Sequence, residues 1–299
     1  MGTAEVMKVA VPLLGAAEAA SALGASLRLH RDAREVAPEL AAQLAAVLDA
    51  LGIREVVDAL DERESEALLG IVEGFLAQAA DFVVEPGRDG WNHDQASILL
   101  AQGHSSALVA RALHGVVVPA LDDELAGRLE GPDAAFLDVG AGVGALAVAA
   151  CRLWPSLRVV ALDPWMPALA IAREQVTAAG LQERIEVREG VVEELEDADG
   201  FDLAWLPTFF IPPAALEPAA ERVFAVMREG GWATFGLYAR PGDPFRDALA
   251  DLRTVRQGGT LIAPQDVATL LERAGFVDVG VHFDPAWPLP IVFVAGRRP

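Results

Sequence analysis

Apolar residues recur at steps of three and four along much of the first 130 residues, a spacing that places them on one face of a helix. Gly115 and Pro119 interrupt the last of these patterns, and the Pro- and Gly-containing run 85–90 is a dense turn signal. The pattern therefore predicts a separate helical region over residues 1–130. Its helices are expected at 36–51, 63–84, 97–113 and 117–129.

The pattern changes at Gly131, beyond which short apolar runs alternate with helical patterns. Such alternation is typical of βαβ units arranged around a parallel sheet. The segment between the last two runs is too short for a helical crossover, so these two strands are expected to pair antiparallel. We predict an α/β fold over residues 131–299, with a seven-stranded Rossmann-like sheet and an antiparallel C-terminal hairpin. Its strands are expected at 135–139, 158–162, 185–188, 201–206, 232–237, 277–283 and 291–295.

The charge of the chain argues against several classes of partner. A formal net charge of −21 repels phosphate backbones and anionic lipid surfaces, and the sequence contains no basic stripe. Neither nucleic acid nor a membrane is therefore expected as a partner. Pro12 and Glu18 interrupt the apolar run 9–22, which argues against a signal peptide, and no stretch reads as long enough to span a bilayer.

Three residue types limit the chemistry further. Lys8 is the only lysine, so Schiff-base chemistry is not expected. Cys151 is the only cysteine, which permits no internal disulfide and suits a reducing cytoplasm, the predicted location. The sequence shows no cysteine pair, histidine motif or carboxylate cluster with the spacing of metal ligands, so no metal site is expected.

A glycine-rich turn follows the first predicted strand. Gly140, Gly142 and Gly144 allow a ligand to approach the backbone at the carboxyl edge of the sheet, where doubly wound folds bind ligands. Their spacing differs from the G-x-G-x-x-G of nicotinamide and flavin sites. Asp138 would repel a pyrophosphate and attract an ammonium group. Asp163 ends the second strand, where its carboxylate can accept hydrogen bonds from ribose hydroxyls.

The run 136–144 resembles the first motif of class I methyltransferases that use S-adenosyl-L-methionine (SAM), and residues 131–299 resemble the family's fold. The resemblance implies that Asp138 and the three glycines face the methionine part of SAM, and that Asp163 faces the ribose. It further implies contacts to the cofactor from Pro164, Trp165, Val191, Val192 and Leu206, of which the first two would pack on the adenine.

Val191 departs from the family pattern. The family commonly has an acidic residue at this place, accepting a hydrogen bond from the adenine amino group. Two alternatives remain: backbone carbonyls hold the adenine, or the register shifts and Glu189 or Glu193 takes that role.

The resemblance implies methyl transfer by in-line displacement, in which a base is needed only if the acceptor must lose a proton. The candidate bases are His93 and His104, both expected in polar, glycine-containing turns. His104 is alternatively a bystander beside a helix N-cap at Ser105 or Ser106. Leu206 stands where methylases of planar amines carry a polar group, and the apolar run 205–211 suits a hydrophobic small molecule.

We therefore predict an enzyme that methylates a small, largely apolar metabolite, with O-methylation favoured over C-methylation. The resemblance is to small-molecule methyltransferases, including those of natural-product pathways. In these the N-terminal region shapes specificity and in some members forms a homodimer. Three alternatives stay open: a SAM-binding protein that catalyses a non-methylating rearrangement or cyclisation, a non-enzymatic interaction protein, and a nicotinamide-dependent oxidoreductase.

Overall fold

The computed structural model describes residues 2–88, 90–197, 200–283 and 290–299, which form two compact units. The first unit comprises Met1–Pro86 and Leu100–Ser105, and the second comprises Gly87–Leu99 and Ser106–Pro299. The helices are α1 (Thr3–Asp32), α2 (Pro38–Leu51), α3 (Arg54–Asp58), α4 (Glu62–Val84), α5 (Ala96–Ala112), α6 (Val118–Leu121), α7 (Asp123–Leu129), α8 (Ala145–Leu153), α9 (Met166–Ala178), α10 (Pro213–Val226), α11 (Pro244–Arg256) and α12 (Pro264–Ala274).

A small apolar core holds the first unit together. Leu27 of α1, Leu48 of α2, Val57 of α3 and Leu69 of α4 are all buried and cluster with one another. Helix α4 begins with a capping box, because the Asp61 carboxylate accepts from the Glu64 backbone N–H and the Glu64 side chain accepts from the Asp61 N–H. The predicted helices 36–51, 63–84 and 97–113 are thus confirmed as α2, α4 and α5, with α1 and α3 in addition. The predicted helix 117–129 is instead two helices, α6 and α7, separated at the extended residue Asp122.

Helix α1 corrects one expectation from the sequence. It runs unbroken through Pro12 and Glu18, so these residues interrupt the apolar run 9–22 without ending the helix. Among the described residues, α1 and most of α4 (Glu64–Val84) are long and apolar enough to cross a membrane by length and composition alone, so the expectation that no stretch reaches that length is wrong. Buried core helices and N-terminal signal sequences also meet this criterion, and the apolar window of α1 is not buried in this structure.

The second unit is built on the predicted sheet. Its seven strands lie in the order β3-β2-β1-β4-β5-β7-β6, and the antiparallel pairing of β7 with both β5 and β6 confirms the terminal hairpin. The other neighbouring pairs are parallel, so the carboxyl ends of β1, β2, β3, β4 and β5 meet at one edge. The strands are β1 (Ala135–Val139), β2 (Arg158–Asp163), β3 (Ile185–Glu189), β4 (Phe201–Pro207), β5 (Met227–Tyr238), β6 (Val277–His282) and β7 (Ile291–Arg297).

Alternating side chains of the strands build a core on each face of the sheet. Leu203 and Trp205 of β4 join one buried cluster with α8, whereas Ala204 and Leu206 join the other with α10 and α12. Strands with apolar residues on both faces are typical of a sheet covered by helices on both sides. The sheet is therefore the middle layer of three.

The helices that precede the sheet pack on it. Leu113, Val117, Leu125 and Leu129 are buried in the same cluster as Phe136 of β1. Residues 106–129 thus belong by packing to the second unit, whereas the boundary at residue 130 was drawn from the change of sequence pattern. The division of the chain at residue 130 into two domains with different functions stays a prediction.

A buried acid fixes the amino edge of the sheet, opposite the glycine loop. The Asp202 carboxylate accepts hydrogen bonds from the Ala135 backbone N–H at 3.0 Å and from the Arg228 guanidinium at 2.6 Å. A second guanidinium, that of Arg128, lies 3.9 Å from it. These contacts join β1, β4 and β5, so Asp202 has a structural role.

We expect Asp202→Ala to lower the free energy of unfolding by roughly 3 kcal/mol, because it removes the buried acceptor that the Ala135 N–H and the Arg228 guanidinium share. Chemical denaturation measures this. Asp133→Ala is the matched control, since the Asp133 side chain is 88% exposed and its ion pair with Arg158 lies on the surface. Equal effects of the two substitutions would contradict the structural role of Asp202.

Candidate functional site

The glycine loop after β1 needs its glycines for different reasons. Gly140, Gly142 and Gly144 all have left-handed backbone angles, with φ of 69°, 55° and 75°. A Cβ on Gly144 would lie 3.2 Å from the Cβ of Ala172, so this glycine also allows α8 and α9 to pack closely. A Cβ on Gly142 would meet nothing within 4 Å. The space beside the Gly142 Cα is therefore open to a ligand on the side where other residues carry a Cβ.

Asp138 lies beneath this loop on β1 and is almost fully buried, with 1% of its surface exposed. One carboxylate oxygen, Oδ2, is buried and has no hydrogen-bond partner in the described part of the chain. Burial raises the pKa of Asp138 well above its usual range, and the nearby Asp163 charge raises it further, while the Ala147 backbone N–H opposes both. An unsatisfied buried carboxyl group is costly, so this site favours a ligand that brings a cationic hydrogen-bond donor.

Asp163 joins the glycine loop to the end of β2. Its Oδ2 accepts from the Gly142 N–H at 2.8 Å and its Oδ1 accepts from the Trp165 backbone N–H at 2.7 Å. Burial raises the pKa of Asp163, and these two hydrogen bonds partly offset that rise. Each carboxylate oxygen can accept more than one hydrogen bond, so Asp163 retains the capacity to bind hydroxyl groups.

The segment after β3 contains Val191, the residue that departs from the family pattern. Val191 is 36% exposed, whereas Val192 is buried in the cluster that contains Leu137 and Leu162. Glu189 is exposed at the end of β3. The backbone of this segment reaches β2, since the Gly190 N–H donates to the Asp163 carbonyl at 3.2 Å. Of the two valines assigned to the cofactor, Val191 is the one whose side chain is available at the surface.

Leu206 offers a ligand little side-chain surface. It is fully buried in the cluster formed with α10 and α12. Its neighbour Trp205 is also core: the indole packs against Phe293 and so close to Gly236 that a Cβ there would overlap the ring. In the segment 208–211 that follows β4, Phe210 is the residue that is only half-buried.

His93 lies at the carboxyl edge of the sheet. Its backbone carbonyl accepts from the Trp165 indole N–H at 2.6 Å, and its imidazole, which is buried, meets the Trp91 ring edge-to-face at 4.6 Å between centroids. The Trp91 ring meets Phe210 in the same manner at 5.3 Å. The structure therefore brings His93 together with Trp165 and with the segment that follows β4.

His104 lies in a different setting from the one expected. It is inside α5, not in a turn, and belongs by packing to the first unit. Its ring lies against α4, where a Cβ on Gly70 would come within 2.1 Å of Nδ1. That Nδ1 atom is buried and has no hydrogen-bond partner among the described residues. Its role as a base stays a prediction.

Of two further polar side chains, Tyr238 supports the site and His282 lies away from it. The Tyr238 hydroxyl donates to Gln257 at 2.9 Å, its ring stacks on Phe209 at 4.5 Å, and burial raises its pKa, so it braces the segment after β4. His282 lies on β6, at the far end of the sheet, where burial lowers its pKa. Among the described residues, no group of three or more His, Cys, Asp or Glu could hold a metal ion.

Two parts of the site were missed in the sequence. Trp91 was not among the candidate residues, although two ring contacts make it central. The loop after α11 was also missed: the Thr260 N–H donates to the Thr208 carbonyl at 3.0 Å, and a Cβ on Gly259 would overlap the Phe209 backbone. The adjacent Gly258 and Gly259 are the sequence signal that could have indicated a close backbone contact here.

Comparison with known proteins shows which family and which folds this chain resembles. Residues 136–231 match the family described as "Methyltransferase domain". The ribosomal protein L11 methyltransferase of Sorangium cellulosum (strain So ce56) is 31% identical over 147 residues, which are 49% of this chain and 42% of that protein. The chain thus covers less than half the length of this curated relative.

Two solved structures are similar over nearly the whole chain. The apo form of the S-adenosylmethionine-dependent methyltransferase SibL is 23% identical, covers 98% of this chain and 99% of its own, and has a TM-score of 0.66. The Mitomycin 7-O-methyltransferase MmcR is 20% identical, with coverages of 99% and 98% and a TM-score of 0.59. At these identities the likeness establishes the fold. The resemblance seen in the sequence is thereby confirmed: residues 136–231 match a methyltransferase domain, and the chain has the fold of class I methyltransferases.

Proposed function

We propose that this chain is a SAM-dependent methyltransferase that acts on a small, largely apolar metabolite, with O-methylation favoured. The observation that carries the proposal is the buried Asp138 carboxyl group, which has one oxygen unsatisfied beneath a glycine loop that opens to a ligand. The amino-acid part of SAM brings the ammonium group that such a carboxylate would bind. The similarity in fold to the S-adenosylmethionine-dependent methyltransferase SibL and to the O-methyltransferase MmcR supports the same cofactor and reaction class.

The proposed cofactor contacts follow the carboxyl edge of the sheet. Asp138 would bind the ammonium group, the loop of Gly140, Gly142 and Gly144 would face the methionine part, and Asp163 would accept from the ribose hydroxyls. The adenine would lie between Trp165 and the segment after β3, with Pro164 exposed beside them. The assigned contacts of Val191, Val192 and Leu206 belong to this proposal, through side-chain atoms at Val191 and backbone atoms at the two buried residues.

SAM, when bound, supplies a methyl group that its sulfonium already activates for displacement. The protein therefore needs to hold the acceptor atom in line and to exclude water. For a hydroxyl acceptor, His93 would accept the proton, since the imidazole lies at the same edge as the glycine loop. His104 remains the second candidate for that role.

The residues around His93 favour a planar, apolar acceptor. Trp91 and Phe210 lie on the same side of the edge as His93 and meet edge-to-face, and both retain partial exposure. Aromatic surfaces of this kind bind planar rings and contribute few polar contacts. The full-length likeness to small-molecule enzymes agrees with this, whereas the L11 methyltransferase matches only half of the chain.

Location and assembly belong to the same proposal. A cytoplasmic enzyme without nucleic-acid or membrane partners is the reading that the charge of −21 supports. The exposed apolar residues of α1, which include Val6, Val9 and Leu14, support a homodimer. A role in natural-product biosynthesis rests on the resemblance alone.

We expect Asp138→Asn to weaken binding of S-adenosylhomocysteine at least about thirtyfold, because it removes the charge opposite the ligand ammonium. Isothermal titration calorimetry measures this affinity. Asp133→Asn is the matched control, since it neutralises an exposed carboxylate at the other edge of the sheet. Tight binding to wild type and to both variants would argue against the role of Asp138; no binding to wild type would argue against the proposed function.

The same substitution should stabilise the ligand-free protein. The folded-state pKa of Asp138 lies above its unfolded value, so its contribution to stability falls as pH rises from the unfolded pKa through the folded pKa. Asn carries no charge, so Asp138→Asn should raise the melting temperature at neutral pH, with a gain that shrinks towards acidic pH. Calorimetric melting at both pH values tests this, and a lower melting temperature at neutral pH would be the opposite result.

We expect His93→Gln to lower turnover of a hydroxylated acceptor about 100-fold or more, if that histidine is the base. The affinity for S-adenosylhomocysteine should remain near that of wild type. The measurement is transfer from methyl-labelled SAM to a panel of hydroxylated aromatic compounds, followed by mass spectrometry. A product that forms without the label would contradict methyl transfer, and unchanged turnover in His93→Gln would exclude His93 as the base.

A further inference from the structure

Residues 90–99 form a segment, termed the strap, that contacts two separate parts of the carboxyl edge. On one side, Leu99 is buried against Val143 of the glycine loop and Ala168 of α9, with Trp91 and Trp165 packed around them. These contacts are apolar, so they hold the strap near the loop without defining its orientation sharply.

The other side of the strap meets the segments after β4 and α11. The Trp91 ring lies edge-to-face on Phe210, and the backbone of Gly90 approaches Gly258 so closely that a Cβ on Gly258 would lie 3.0 Å from the Gly90 Cα. The strap therefore contacts both the glycine-loop side and the acceptor side of the proposed site. His93 lies between these contacts in the chain.

A hydrogen bond, which is directional, holds the strap at His93. The Trp165 indole N–H donates to the His93 carbonyl at 2.6 Å. The Trp165 backbone N–H in turn donates to the Asp163 carboxylate, whose other oxygen accepts from Gly142. A continuous series of hydrogen bonds thus runs from the glycine loop through Asp163 and Trp165 to the backbone of the candidate base.

We propose that Trp165 is a positioning residue: its indole N–H fixes the strap, and through it the His93 imidazole, at the carboxyl edge. Asp163 sets the position of the Trp165 backbone, and the indole then sets the position of His93. The residue proposed to bind ribose and the residue proposed to accept the proton are therefore held in one network. The role of His93 in this inference rests on the proposed function, whereas the attachment of the strap does not.

The test compares Trp165→Phe with Trp154→Phe in the ligand-free chain. Trp165→Phe keeps an aromatic ring and loses the N–H donor. Trp154→Phe makes the same change at a fully buried tryptophan that packs on His114, away from the strap. Ligand-free protein is used because Trp165 is also proposed to pack on adenine, and cofactor binding alone would not separate the two roles.

Hydrogen exchange followed by mass spectrometry reports on the strap. In Trp165→Phe, amides of 91–99 should exchange about fivefold faster relative to those of β1, the change expected for one lost hydrogen bond. Trp154→Phe should leave this ratio unchanged. The second reading is the NMR signal of the His93 ring, assigned with His93→Gln, which should shift or broaden in Trp165→Phe only. If that variant does not fold, Trp165→Leu provides the same comparison.

Unchanged strap exchange and an unchanged His93 signal in Trp165→Phe would overturn the inference, and so would equal effects of the two tryptophan substitutions. Titration of wild type with S-adenosylhomocysteine separates this result from the proposed function. Faster strap exchange in Trp165→Phe together with no ligand binding by wild type would keep the attachment and reject the SAM-dependent activity.

Discussion

The carboxyl group of Asp138 is the constraint on which the rest of the site depends. Strand β1 places it beneath the first turn of α8, where the Ala147 N–H donates to it, yet burial leaves one oxygen unsatisfied. A folded protein retains such a group at a cost in stability, which is typical of a position whose partner is a ligand. The sheet and its two cores supply the rigidity that keeps the carboxyl group there.

Asp163 links two segments at the carboxyl edge of the sheet. Its two oxygens hold the backbones of Gly142 and Trp165, so the loop after β1 and the turn after β2 have a fixed relation. The Trp165 indole N–H in turn donates to the His93 carbonyl, which fixes the His93 backbone relative to these segments. Functional groups from segments far apart in sequence therefore share one network, which is how a site on loops acquires the precision that in-line displacement requires.

The strands and the cofactor loop were predictable because their signals are local. Apolar runs delimited by glycine and proline gave all seven strands, and the spacing of Gly140, Gly142 and Gly144 identified the loop. Helix α1 was not given bounds because the run 9–22 was weighed as a signal peptide, and the helix accommodates Pro12. His104 was misplaced because Gly103 and Ser105 suggested a turn, and its packing on Gly70 is a tertiary contact without a local signal. The ring contacts of Trp91 were hidden for the same reason.

Proton release on ligand binding tests the central claim most directly. If a bound ammonium group converts Asp138 from its protonated to its charged form, binding of S-adenosylhomocysteine should release a proton at mildly acidic pH. Titration calorimetry in buffers of different ionisation enthalpy measures this number for wild type and for Asp138→Asn. The account predicts release by wild type that is lost in the variant. Binding with the same proton release in both proteins would contradict it.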